Sequence, residues 1–184
     1  MGGTQTRVVH YSFLENVIAA GFDPSKPGAS FVDLGAGCGN CLWEMANLIA
    51  GYGEPEPSSF LEVRGVEMCP AKIMLAKATM QGYKGTWGIL QKNMETGLTP
   101  AELGSWVFIF GHVWPVALCQ VVAQSINTSV VVKYLTVGMH EGLDIDTMFS
   151  NFEVVGTQAG KMSGSGQVHK FVLMKRKPPA PSMP

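Results

Sequence analysis

No apolar stretch of this chain comes near the roughly 20 residues that a membrane span needs, because glycine or a charged residue interrupts each one. A spanning segment is not expected. Charge is also sparse: 13 Lys and Arg stand against 14 Asp and Glu, a net charge of −1. No global positive field therefore draws the chain to nucleic acid or to anionic lipid. The first residues lack a basic run followed by an apolar core, the mark of a secretory leader, so the cytoplasm or nucleus is the expected setting. Cysteine is scarce, with only Cys38, Cys41, Cys69 and Cys119, which fits a reducing compartment. Cys38 and Cys41 form a C-x-x-C, yet no second such pair and no H-x-x-x-H completes a tetrahedral site. His10, His140 and His169 are too scattered in sequence to add ligands, and no metal is expected.

What is present suffices for one domain. With 184 residues, 46% of them apolar, residues 1–177 can bury a full core. Residues 178–184 hold four prolines and read as a disordered tail. Lys170, Lys175, Arg176 and Lys177 cluster ahead of that tail and read as a solubilising strand end rather than a phosphate-binding patch.

The most informative stretch is Ser30-Phe31-Val32-Asp33-Leu34-Gly35-Ala36-Gly37-Cys38-Gly39-Asn40. It is an apolar strand entering a turn with three glycines at alternate positions. A turn without Cβ atoms admits positive φ and lets a small ligand lie against the main chain, with the positive end of the next helix aimed at the same place. Dinucleotide binders use G-x-G-x-x-G instead. The G-x-G-x-G of Gly35, Gly37 and Gly39, preceded by the acidic Asp33, resembles the first motif of the class I S-adenosylmethionine-dependent methyltransferases.

Strand and helix signals alternate along the rest. Helices are expected over 8–20, 40–50, 70–82 and 115–125, and strands over 30–34, 61–67, 87–90, 106–110 and 129–135. Residues 51–59 read as a loop, and 152–157 with 168–174 as a closing hairpin around the small-residue loop 161–166. That loop could act as a lid. This order implies an α/β, three-layer αβα doubly wound fold with a mostly parallel seven-stranded sheet and an antiparallel C-terminal hairpin. The resemblance adds the strand order 3-2-1-4-5-7-6 and S-adenosyl-L-methionine as cofactor.

Candidate site residues follow from the strand ends. Asp33, Gly35, Ala36, Gly37, Cys38 and Gly39 form the cofactor turn. Glu67, with Met68 beside it, ends the second strand, where a carboxylate can accept bonds from two ribose hydroxyls. Asn93 can accept from an adenine amino group while Met94 packs on the ring, although the family commonly has Asp in this segment. Gly111-His112-Val113-Trp114 ends the central strand and faces the transferred methyl group. There His112 is the candidate general base, and Trp114 a candidate wall for an amine or an aromatic base. Thr4 to Arg7 precede the first helix as a segment able to fold over the cofactor.

Missing motifs narrow the acceptor. No Asn/Asp-Pro-Pro-aromatic follows the central strand, no Pro-Cys supplies a nucleophile, and Gly111 stands where a ribose-methylating Lys-Asp-Lys-Glu set needs Asp. Phe31 to Gly35, with Gly65-Val66-Glu67-Met68-Cys69-Pro70-Ala71-Lys72, is similar to the non-SET lysine methyltransferases of the telomeric-silencing type. With Val107 to Gly111, it is also similar to the mitochondrial lysine methyltransferases acting on an ATP synthase subunit. The resemblance implies a protein lysine as acceptor and a protein substrate or partner subunit. RNA or a small molecule as acceptor, or a non-catalytic assembly subunit, are the alternatives, and a nicotinamide oxidoreductase is disfavoured by the glycine spacing.

Overall fold

An unbroken apolar run can be buried on both sides only in the middle of a covered sheet, and Trp106–Gly111 (β4) lies there. The computed structural model describes residues 3–51, 62–140, 142–161 and 167–179. Among these, the other strands are β1 (Ser30–Leu34), β2 (Glu62–Glu67), β3 (Thr86–Gln91), β5 (Tyr134–Met139), β6 (Phe152–Lys161) and β7 (Val168–Arg176). They form one sheet in the order β3-β2-β1-β4-β5-β7-β6. Strands β1 to β5 pair in parallel, whereas β7 runs antiparallel to both β5 and β6. Fold class and strand order are as expected.

Alternation along the strands divides the core into two layers. Phe31, Trp106, Phe108, Phe171 and Leu173 pack against α1 (Gly3–Ala19) and α2 (Asn40–Ala50) on one face. Val32, Val107, Ile109, Val137 and Val172 pack against α4 (Val116–Thr128) on the other. The remaining helices are α3 (Pro70–Met80), which begins on Pro70 as its fixed φ favours, and the short α5 (Ile145–Met148). His10 of α1 is buried between Phe13 and Phe108. Burial lowers its pKa to about 4, so it is a neutral core imidazole at physiological pH.

Several boundaries differ from expectation: β5, β6 and β7 run on to Met139, Lys161 and Arg176. Helix α1 starts at Gly3, so residues 4–7 form its first turns instead of preceding it. Residues 129–133 do not form a strand. Val130 and Val131 are exposed there, and β5 begins only where the Lys133 and Tyr134 amides bond to the Ser105 carbonyl. The last parallel-sheet helix runs on to Thr128. The short α5 and the 3-10 turns Met94–Thr96 and Pro100–Glu102 carry no sequence signal of their own strong enough to announce them. Most of loop 51–59, residue 61, the 162–166 part of the candidate lid and residues 180–184 of the tail lie outside the described residues. No described helix is long and apolar enough to cross a membrane.

The C-terminal basic cluster is divided: Lys170 and Lys177 are exposed, as a solubilising strand end requires, whereas Lys175 and Arg176 are partly buried and bound to carbonyls. Arg176 donates to the carbonyls of Ile126, Asn127, Ser129 and Val132 and lies 4.4 Å from the centroid of the Phe152 ring. It thereby satisfies the orphan carbonyls ending α4, while Lys175 caps Ala20 and Lys177 bonds Ser150. Lysine has no planar fork, so Arg176→Lys is expected to cost about 2 kcal/mol in urea denaturation. A loss below about 0.5 kcal/mol would show the fork to be dispensable.

Candidate functional site

Strand order reverses between β1 and β4, and in open α/β sheets the crevice beyond the carboxyl ends at such a point is where ligands bind. Three strand ends meet there: Leu34 leading into the glycine turn, Glu67 closing β2, and Gly111 closing β4. The φ values of Gly35, Gly37 and Gly39 are +81°, +55° and +81°, so the turn does need glycine at all three positions. Their surroundings differ. A Cβ on Gly39 would come within 3.0 Å of the Ala76 backbone, which shows that this glycine lets α2 approach α3. A Cβ on Gly37 would meet nothing closer than 3.9 Å, so Gly37 alone of the three opens onto free space.

The turn does not crowd free amides against the crevice. Gly35 and Ala36 both donate to the Val66 carbonyl, Gly39 donates to Ala36, and the Gly37 N–H donates to Glu67 Oε2 at 2.9 Å. The left-handed glycines point the Gly35, Ala36 and Gly37 amides toward β2 and consume them there, while the Gly39 amide closes the turn on itself. Ala36 is buried against Gly65, and the Cys38 carbonyl accepts from Thr79 Oγ1. Sequence inspection missed Gly65 and Thr79, both of which pack the turn from other elements.

Glu67 is nearly buried, and its Oε1 accepts from the amides of Met68 and Cys69, each at 2.9 Å. With Gly37 on Oε2, three of about four acceptor positions are filled. One position remains without a protein donor. The Met68 side chain projects into solvent.

Asp33 is buried beneath the turn. Its pKa is raised to about 7, chiefly by burial, which the Glu67 charge reinforces and a bond from the Cys41 thiol partly offsets. The same burial and the Asp33 charge push the Cys41 thiol well above its ordinary value. Cys41 therefore serves Asp33 as a hydrogen-bond donor rather than a zinc ligand, and no described group of three His, Cys, Asp or Glu could hold a metal ion.

At the end of β3, the exposed Asn93 turns its side chain inward on its own loop. Oδ1 caps the Glu95 amide and Nδ2 bonds Glu95 Oε2. Met94 is 8% exposed and lies in the core with Val66 and Leu98. The 3-10 turn directs its side chain under the sheet edge, which corrects its expected place on an adenine ring.

Beyond β4, His112 is half-buried. It stands 4.6 Å from His169 and 6.1 Å from His140 between ring centroids. These histidines are far from it in sequence, and the β5–β7 pairing brings them to one edge. Burial, reinforced by His112, lowers the His169 pKa. Scattered in sequence, these imidazoles are adjacent in space.

The Trp114 indole lies over two glycines at once. A Cβ on Gly35 would come within 2.8 Å of Trp114 Cζ2, and one on Gly111 within 2.9 Å of its Cε3. The ring thus rests across the β1–β4 crevice and packs against the core beyond β4.

No protein-family model and no curated protein matches the sequence. Among solved structures, the N-methyltransferase NodS of Bradyrhizobium japonicum WM9 in complex with S-adenosyl-L-homocysteine is similar in fold. Its TM-score is 0.68 at 10% identity, over 95% of this chain and 89% of that one. Magnesium protoporphyrin IX methyltransferase (ChlM) of Synechocystis PCC 6803 with bound S-adenosyl-L-homocysteine matches with a TM-score of 0.62 at 14% identity, over 94% and 85% of the two chains. At such identities it is the fold that is shared.

Proposed function

We propose that this chain is an S-adenosylmethionine-dependent methyltransferase whose acceptor is a protein side-chain nitrogen, a lysine. The observation that carries the cofactor class is the charge and hydrogen-bond balance of the glycine turn. The amides of Gly35, Ala36 and Gly37 are spent on β2, the Glu67 carboxylate stands close behind them, and Asp33 lies buried beneath. A pyrophosphate laid across the turn would find these three amides taken and would be repelled by the Glu67 carboxylate behind them. A sulfonium cofactor carries net positive charge and suits the opposite arrangement.

The residues present fit such a group. Glu67 keeps one acceptor for a ribose hydroxyl, Gly37 leaves open space, and Gly39 caps α2 with no side-chain bond. The first amides of α2 are thereby left to a carboxylate. Asn93, exposed at the end of β3, borders the adenine side. When bound, the cofactor supplies an electrophilic methyl group on sulfur.

The chain's own task is to hold a neutral acceptor nitrogen in line and to take its proton. His112 is placed for that step, since it follows the last residue of β4 and reaches solvent to discharge the proton. A protein partner in the cytoplasm or nucleus agrees with the free thiols.

The test is incubation with methyl-labelled cofactor and fractionated cell extract. Label recovered as methyl-lysine after protein hydrolysis is expected, whereas label confined to RNA or small molecules would overturn the acceptor. For His112→Ala, turnover should fall by about 10²-fold or more at unchanged cofactor affinity. Persistent turnover would make His112 a structural residue.

A further inference from the structure

The carboxyl edge has two unequal halves. At the β2 side the crevice is open at Gly37, whose amide bonds the buried Glu67. At the β1–β4 junction the Trp114 indole covers the side-chain faces of Gly35 and Gly111. We infer that Trp114 determines which ligands the crevice admits: a nucleoside fits with the indole in place, whereas a ligand carrying an amino-acid tail must displace it. This rests on the methyltransferase reading, since Glu67 then fixes the ribose at β2 and the remainder of the ligand extends across β1 toward β4.

Two features make the indole displaceable rather than fixed. Its bed exists only because both glycines lack a Cβ, and the ring is half-buried, one side packed against the core beyond β4 and the remainder open. The turn that carries it is loosely held as well: Val113 is 86% exposed, and the Trp114 amide makes a single turn bond to the Gly111 carbonyl. Rotation about the side-chain bonds of Trp114 moves the ring without breaking β4 or α4. The indole and the amino-acid tail then compete for one place, and the apparent affinity for the tailed ligand is reduced to the extent that the ring occupies it. Tail-less nucleosides escape that competition.

The experiment uses the full chain labelled with 5-fluorotryptophan. Its four tryptophans give separable fluorine resonances, and Trp114→Phe assigns the one of interest. S-adenosylhomocysteine should move the Trp114 resonance, and 5′-methylthioadenosine, which has the nucleoside and thioether but no amino acid, should leave it in place. In calorimetry, Trp114→Ala should bind S-adenosylhomocysteine about tenfold more tightly than the unaltered chain, with methylthioadenosine unchanged. Binding to Trp114→Ala alone would equally support the inference, as a plug that rarely opens. Saturation by S-adenosylhomocysteine with the Trp114 resonance unmoved, or weaker binding by Trp114→Ala, would overturn it while leaving the cofactor assignment intact. Failure of both ligands to bind either protein would overturn the cofactor assignment and this inference together.

Discussion

Asp33→Asn is expected to stabilise the protein by about 4 kcal/mol near pH 8 and to weaken cofactor binding at the same time. The folded chain holds the Asp33 proton up to about pH 7, against 3.8 for an ordinary aspartate side chain. A folded pKa above the unfolded one means that this group's favourable contribution is complete below pH 3.8 and is lost as the pH rises through 7. The interval is roughly three units at about 1.4 kcal/mol each. Asparagine is neutral throughout and still offers Oδ1 to the Cys41 thiol, so the variant should show no such decline. Urea denaturation of both proteins between about pH 4 and 8 checks the sign: the neutral burial of His10 raises the stability of both alike as the pH climbs, so the margin by which the Asn variant exceeds wild type should widen over that interval, and a margin that narrows would contradict it. On the methyltransferase reading, a cationic ligand would offset the cost of burying this carboxyl group on the strand beside Glu67.

Glu67→Ala should lower stability by about 3 kcal/mol and weaken cofactor binding by roughly a further 1 to 3 kcal/mol, a range typical of polar partners left unpaired. Three amides, those of Gly37, Met68 and Cys69, lose their acceptor. Because the site is only part-buried, water recovers some of the loss. Glu67→Gln separates the two effects: its remaining carbonyl oxygen serves Met68 and Cys69, while Gly37 loses its partner. Thermal unfolding should therefore place Gln between wild type and Ala. Equal cofactor dissociation constants for wild type and Ala would remove Glu67 from the binding site.

Much of this architecture is legible in the chain because each parallel strand is a short apolar run followed by a helical period. The turn at Gly35 to Gly39 could be read because its spacing is local, and Glu67 because it ends the next strand. Other features depend on distant partners. Val130, Val131 and Val132 look like a strand, yet the bonds of Lys133 and Tyr134 to the Ser105 carbonyl start β5 beyond them and leave the first two valines exposed. Gly138 is indispensable within β5 because the Phe171 ring of β7 would lie 2.6 Å from its Cβ. The meeting of His112, His140 and His169 depends on strand register rather than on spacing. The direction of the turn amides follows from three positive φ values, and the resting place of Trp114 from two glycines on different strands. Neither is written in the local sequence.

The most direct test of the central claim, that the β1–β4 crevice holds an adenosyl sulfonium cofactor, is calorimetric titration of the full chain with S-adenosylmethionine, S-adenosylhomocysteine and NADH. The account predicts saturable binding of the first two at one per chain and none of NADH. Absence of heat with S-adenosylmethionine up to millimolar concentration, or preferential binding of NADH, would contradict it.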